Sequence, residues 1–148
     1  MIAVVQRVAS ASVEAPQANH RAAIEAGLLV LLAVEPDDTD DTATWMAHKI
    51  AHLRVMSDDD GRMNRSVLDT HGHVLVVSQF TLAGDCRKGH RPSFIGAADP
   101  ELGNRLYESV VEQLVDTHQL TTRTGVFGAS MQVSLVNDGP VTLIVRST

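Results

Sequence analysis

Apolar residues change rhythm several times along this chain, and each rhythm predicts an element. From Ile2 to Val13 the sequence is dense in Val, Ala and Ser, which suits a β-strand. Pro16-Gln17-Ala18-Asn19 is turn-forming, and His20–Glu25 reads as a short second strand. Gly27 and Pro36 then bracket Leu28-Leu29-Val30-Leu31-Leu32-Ala33-Val34, an unbroken apolar run of strand length. Such a run predicts a strand buried on both faces. Beyond it the period becomes helical: Ala43, Met46, Ala47, Ile50 and Leu53 share one face, behind a start rich in Asp and Thr. The spacing predicts a helix over Asp38–Leu53.

Arg54–Met56 suggests another short strand, and Ser57–Arg62 and Asp69–Gly72 read as turns. Val74-Leu75-Val76-Val77 is the most strand-like run in the chain, continuing into Ser78-Gln79-Phe80-Thr81-Leu82. If the strand persists, Gln79 and Thr81 project from one face and Ser78 and Phe80 from the other. Gly84–Ala98 is a longer loop. Asp99-Pro100-Glu101 opens a second helix, with Leu102, Leu106, Val110 and Leu114 on one face and an end near Thr117. The C-terminal segment reads as strand, turn, strand: Met131–Val136, Asn137–Pro140, Val141–Val145. A hairpin is the plain reading. Yet Gly139-Pro140 suits a tight two-residue turn poorly, and Pro140 cannot donate to a ladder, so a functional loop is an alternative. The elements add up to one α+β domain over residues 1–148, of largely antiparallel β-sheets packed with two main α-helices.

Composition narrows the function. The 148 residues are 44% apolar but only 3% aromatic, so the core is aliphatic. The net charge of −6 argues against sequence-blind gripping of nucleic-acid backbones, though not against a local contact with one RNA end. With Cys86 the single cysteine, no intrachain disulfide forms, which fits a reducing compartment. No apolar run reaches membrane-spanning length, and no secretion signal is read at the N-terminus.

Candidate chemistry is sparse. Gln79 and Thr81 could orient a substrate at the end of an apolar strand, or merely mark where that strand meets water. Arg7 sits inside an apolar strand, where a charge must be paired or hold carbonyls unless its head reaches solvent. The edge-strand alternative is the simpler one. Arg87, Lys88, His90 and Arg91 form the one basic cluster, suited to phosphates or to plain solvation, and could also lower the pKa of Cys86. His48 and His52 are four apart on one helix face, as ligands of a helical metal site would be. No third ligand is evident, because His71 and His73 fall near a predicted turn, and exposed or core-edge histidines are the simpler reading. Ser57–Arg62 lacks the glycine spacing and closing Glu of a calcium loop.

Four motifs, in order, resemble the D-aminoacyl-tRNA deacylase (D-tyrosyl-tRNA deacylase) family: Ser78-Gln79-Phe80-Thr81-Leu82, Arg91-Pro92-Ser93-Phe94, Gly125-Val126-Phe127-Gly128-Ala129-Ser130-Met131 and Asn137-Asp138-Gly139-Pro140-Val141-Thr142. Met1–Val8 and Gly27–Leu32 extend the likeness over nearly the whole chain. Gly84-Asp85-Cys86 and the Ala15–Arg21 loop depart from it. The resemblance implies a cytoplasmic homodimer that hydrolyses the ester between a D-amino acid, or glycine, and the 3′-terminal adenosine of tRNA, with no cofactor, no metal, no DNA and no membrane. It implies active sites at the subunit interface, with catalysis around Ser78, Gln79, Phe80 and Thr81. It further implies a cis Gly139-Pro140 filter inserted across the dimer and supported by Arg7, Asn137 and Thr142. Phe127 and Met131 would line an adenosine pocket. A Thr hydroxyl needs an adjacent base to become a nucleophile, and none is apparent. Backbone N–H groups near Phe80 and Thr81, with the substrate 2′-hydroxyl, are the preferred machinery. Two other classes compete: a non-catalytic module that binds the tRNA acceptor end, and a metal-dependent hydrolase built on His48 and His52.

Overall fold

The computed structural model describes residues 1–147. The chain begins with β1, Ile2–Ala15, the longest element but one and the hub of the sheet. Its first half pairs antiparallel with β3, Gly27–Ala33, and its second half with β2, His20–Ile24. Along its other edge the whole of β1 pairs antiparallel with β8, Gln132–Arg146. β6, His73–Ser78, adds in parallel to β3, and β7, Thr122–Thr124, in parallel to β6. A two-stranded ribbon, β4 (Met56–Ser57) with β5 (Met63–Arg65), stands apart from this sheet. The sheet is therefore mixed, antiparallel around β1 and parallel beyond β3.

The parallel steps require crossovers, and the two helices supply them. α1, Asp40–His52, starts at Thr39, whose side chain and that of Thr42 reciprocally cap each other's backbone. α2, Pro100–Glu112, starts at Asp99, which accepts hydrogen bonds from the N–H groups of Glu101 and Leu102. The chain then tightens into a π turn, Gln113–Thr117. The helices lie side by side in the same direction: Arg105 near the start of α2 pairs with Asp40, and Gln113 near its end bonds Thr44. Both bury their apolar stripes on one face of the sheet, Ala43, Met46, Ala47 and Ile50 from α1 and Leu106, Tyr107 and Val110 from α2.

Buried alternation explains why β3 and β6 read as continuous apolar runs. Leu28, Val30, Val74 and Val76 face the helices, while Leu29, Leu75 and Val77 face a second, smaller core. β1 serves both cores by changing face along its length. Ala3 and Val5 point to the helices, Ala11 and Val13 to the second core. These four positions are all odd, so a plain strand would keep them together. Opposite β8 the register steps from Val8↔Asn137 to Ser10↔Val136, so Ala9 is one extra residue on β1. A one-residue bulge of this kind reverses the alternation beyond it.

Four expectations need correction. The C-terminal strands do not form a hairpin: both halves pair with β1 in the same direction as one strand. The register jumps from Gln6↔Thr142 to Val8↔Asn137, so residues 138–141 all oppose Arg7. The turn-forming residues make an outward bulge, because β1 holds the chain on both sides of them and no reversal can occur. Second, the strand ends at Ser78, and Phe80–Ala83 is a 3-10 turn: the Leu32 carbonyl accepts from the Gln79 N–H, but the Val34 carbonyl two residues on is taken by the Ala98 N–H. Third, the strand expected at Arg54–Met56 lies at Met56–Ser57, and the short β5 and β7, too brief for a periodic signal, were not anticipated. Fourth, His73 lies in β6 and not in a turn.

Gly27 is where the parallel pairing starts, opposite His73. A Cβ there would lie 1.9 Å from the His73 carbonyl oxygen, so only glycine permits this approach. Gly27→Ala is expected to cost about 3 kcal/mol, the upper end for an overpacked site, since backbone must move. Thermal unfolding should report it as a fall in Tm of roughly 6–12 °C.

Candidate functional site

The end of β6 and the turn after it face two cavities. One, about 380 Å³, is lined by apolar side chains, among them Leu32, Val34, Phe80, Phe94, Tyr107 and Phe127, with Ser78 at its wall. The other, about 210 Å³, lies between Gln79, Ala129, Met131 and Val133. Ser78, Phe80 and Gly128 border both. Phe127 and Met131, expected in one pocket, thus stand on opposite sides of this wall. Phe127 is held by a tilted contact with Tyr107, their centroids 5.9 Å apart. The Tyr107 hydroxyl donates to the Val76 carbonyl at 2.9 Å, and burial pushes its pKa well up. Met131 packs against the second core, and its sulfur accepts from the Val126 N–H at 3.4 Å.

Gln79 and Thr81 do meet, though not by strand alternation. The 3-10 turn brings their side chains together, and the Gln79 amide donates to the Thr81 hydroxyl. Thr81 is exposed, and no base reaches its hydroxyl among the hydrogen bonds of the described residues. The first N–H the turn consumes is that of Leu82, which donates to the Gln79 carbonyl at 3.1 Å. The Phe80 and Thr81 N–H groups are left at the open start of the turn. Phe80 is itself exposed and meets Phe94 edge-on at 5.4 Å. That contact fastens the Gly84–Ala98 loop beside the larger cavity.

The loop carries the basic cluster. Arg87 is already taken, clamping Asp85 through Nε at 2.9 Å and Nη2 at 2.7 Å, which holds the Asp85 carboxyl below its usual pKa. Lys88, His90 and Arg91 are exposed and make no ion pair among the described residues, and Cys86 is exposed beside them.

The bulge on β8 is fastened from beneath by Arg7. This arginine is buried, only 8% exposed, so the solvent-facing alternative is overturned. Its Nε donates to the Asp138 carbonyl at 3.0 Å and lies 3.2 Å from the Asp138 carboxylate. Its Nη1 donates to the Val55 carbonyl at 2.7 Å and to the Ser57 hydroxyl at 3.3 Å. Beside it the Gln6 amide donates to the Thr142 hydroxyl at 3.2 Å, where the bulge rejoins the ladder. Asn137, opposite Val8, closes the other side. The Gly139-Pro140 peptide is cis, and Gly139 has φ +130°, a conformation closed to most L residues. Both residues are exposed, and neither lines either cavity of their own chain.

β8 is also an edge, since β1 takes only one of its sides. It displays Leu135, Val136, Leu143 and Ile144, all exposed and apolar, on either side of the bulge. A long apolar edge strand left bare is a template for pairing with another chain.

One grouping was not read from the sequence. His118, just past the π turn, joins His48 and His52. The helical spacing of the first two was visible, whereas a residue sixty-six positions beyond His52 becomes their neighbour only because α1 and α2 run side by side. His71 and His73 take no part.

With this geometry in place, comparison with known proteins is informative. Residues 4–146 match the family model described as D-Tyr-tRNA(Tyr) deacylase. A protein of Desulfatibacillum aliphaticivorans named D-aminoacyl-tRNA deacylase is 57% identical over 147 residues, covering 99% of both chains. Another of that name, from Thermus aquaticus, is 53% identical over 148 residues, covering 100% of this chain and 96% of its own. Among solved structures, one described as c-Myc DNA Unwinding Element Binding Protein superposes with a TM-score of 0.91 at 41% identity, covering 100% of this chain and 99% of its own. A structure whose description reads "a probable eukaryotic D-amino acid tRNA deacylase" shares the fold at a TM-score of 0.86 and 15% identity, covering 97% of each.

Arg7 offers a direct measurement. Arg7→Ala leaves the buried Val55 carbonyl and the bulge without donors, and is expected to cost roughly 2–4 kcal/mol. Arg7→Lys should recover only part, because an ammonium cannot reproduce the planar fork. Urea unfolding should show the midpoint falling at unchanged slope.

Proposed function

The chain belongs to the D-Tyr-tRNA(Tyr) deacylase family, and from that premise we propose that it hydrolyses the ester joining a D-amino acid, or glycine, to the 3′-terminal adenosine of tRNA. The observation that carries the reading is the wall between the two cavities, where Gln79 meets Thr81 beside two open backbone donors. The reaction then proceeds as follows. The Phe80 and Thr81 N–H groups take the charge that develops on the ester carbonyl oxygen. Gln79 positions the aminoacyl group, and Ser78 lines the wall behind it. The attacking water gives up its proton with help from the substrate 2′-hydroxyl, and the 3′-oxygen leaves with a proton. Thr81 is a positioning residue, because no base is at hand to make its hydroxyl a nucleophile. Phe127 takes the adenine by stacking in the larger cavity, while Met131 offers soft apolar contact from the smaller cavity across the wall. The cations Lys88 and Arg91, with His90 between them, lie on the loop fastened at Phe94, where terminal phosphates would pass.

Chirality is filtered by backbone. A D and an L amino acid differ only in which substituents take which directions at one carbon. A rigid main-chain obstacle placed where the L side chain would go rejects that form, and admits glycine, which has no side chain. The Gly139-Pro140 bulge is the obstacle, held by Arg7 and flanked by Asn137 and Thr142. It lines neither cavity of its own chain, which supports its acting in the site of a second copy. The apolar edge of β8 is the surface by which two copies would pair as a homodimer. No helix among the described residues is long and apolar enough to cross a membrane.

Matched D- and L-tyrosyl-tRNA, assayed in EDTA, test this reading. The D ester should be cleaved in preference to the L ester by more than the roughly 200-fold that simple pocket fit provides. The same ratio should narrow in Gly139→Ala, whose Cβ would come within 3.0 Å of the Arg7 Nη2 and disturb the bulge. Cleavage of neither ester would favour a module that only binds the acceptor end. In the same assay Thr81→Ala should retain turnover within about 10-fold. A loss beyond the roughly 10³-fold typical of a lost oxyanion donor, with tRNA binding kept, would assign the hydroxyl to the chemistry.

A further inference from the structure

The ends of the two helices bring three histidines together: His48 and His52 on the last turns of α1, and His118 just past the π turn after α2. Each can offer a ring nitrogen, and these atoms lie within 4.8 Å of one another. The ring centroids are 4.2, 5.4 and 5.6 Å apart. Three imidazoles around one tetrahedral Zn(II) ion, at about 2.0–2.1 Å each, need nitrogens roughly 3.3 Å apart. His48 and His52 are exposed, so small side-chain rotations can close that difference.

Three further observations point the same way. None of the three imidazoles makes a hydrogen bond to another group among the described residues, so their nitrogens are uncommitted. His118 is half-buried between its neighbours, which limits the directions its ring can take. The π turn holds His118 in place, its N–H donating to the Gln113 carbonyl at 3.0 Å, while the Leu120 N–H bonds the buried Leu114 carbonyl at 2.9 Å. Single π turns inside helices recur at functional sites. Three clustered imidazoles repel one another once protonated, whereas a shared cation turns their proximity into binding.

The geometry points to a three-histidine site for a borderline divalent transition metal, Zn(II) foremost, that clamps the C-terminal ends of the two helices. Imidazole nitrogens suit zinc, nickel and copper, not the hard cations magnesium and calcium. A water completes the coordination. His118 lies eleven residues beyond Tyr107, the last residue of α2 to border the larger cavity. At about 1.5 Å per residue that is roughly 16 Å, so the metal serves stability and not ester cleavage.

Tag-free, EDTA-stripped and desalted full-length protein should be titrated with zinc chloride by calorimetry, and with cobalt chloride by visible absorption. One zinc per chain and the intense d–d bands of tetrahedral Co(II) are expected. At zinc about 100-fold above Kd, Tm should rise by roughly 5–10 °C. His118→Gln and His48→Gln, whose side chains contribute little to the core, should each weaken zinc binding by at least about 10-fold and abolish the rise in Tm. Deacylation by the wild type should be the same in zinc and in EDTA, which separates this site from the catalytic reading. Zinc binding that persists in a variant lacking all three histidines, an equal effect from magnesium, or no metal-dependent change in Tm would overturn the proposal.

Discussion

A guanidinium cannot be left in an apolar interior without spending its donors, and Arg7 spends them on backbone. By holding the carbonyls of Asp138 and Val55 it joins three segments far apart in sequence: the first half of β1, the strand-like stretch before β4, and the bulge on β8. The bulge is the only part of β8 that leaves the ladder, because four residues there oppose one. Without a partner beneath it such a loop would be free to collapse onto the sheet or swing outward. Arg7 converts it into a fixed projection. The cost of a buried charge is thus met by the element that most needs a rigid backbone.

The second organising fact is the mixture of pairings. β1 collects its neighbours in antiparallel order, but β3, β6 and β7 lie parallel, and parallel strands demand crossover connections. Those connections are the two helices and the Gly84–Ala98 loop. The end of β6 therefore lands beside the start of α2 and the start of the segment leading to β8. Both cavities form there, one on each side of Ser78 and Phe80, which lets one short turn address two surfaces. The histidine cluster sits at the far end of the same helix pair. The proposed catalytic and metal-binding roles thus fall at opposite ends of one helix pair.

Much of this was legible in the residues. Helix positions followed from caps and from the spacing of Ala43 to Ile50 and of Leu102 to Leu114, since a helix reports its buried face every three or four positions. The double burial of Leu28–Ala33 followed from its unbroken apolarity. The four motifs stood out through their resemblance to the deacylase family, since the local pattern around Ser78–Leu82 alone reads as an ordinary strand end. Arg7 was ambiguous, because a charge in a strand looks the same whether its head reaches water or a carbonyl. The end of β6 was misplaced because Phe80 and Leu82 continue a strand-like pattern, while the pairing stops where the Val34 carbonyl accepts from Ala98 instead.

By itself, then, the sequence determined the α+β class, both helices and the family, all of which depend on local periodicity or on short motifs read in order. Only the tertiary structure decided that Asn137–Thr142 is a bulge, because that depends on β1 gripping both flanks and not on the turn residues themselves. It alone separated Phe127 from Met131, and it alone brought His118 to His48 and His52. These are contacts between segments distant in the chain, and no local pattern encodes which distant partner a side chain will meet.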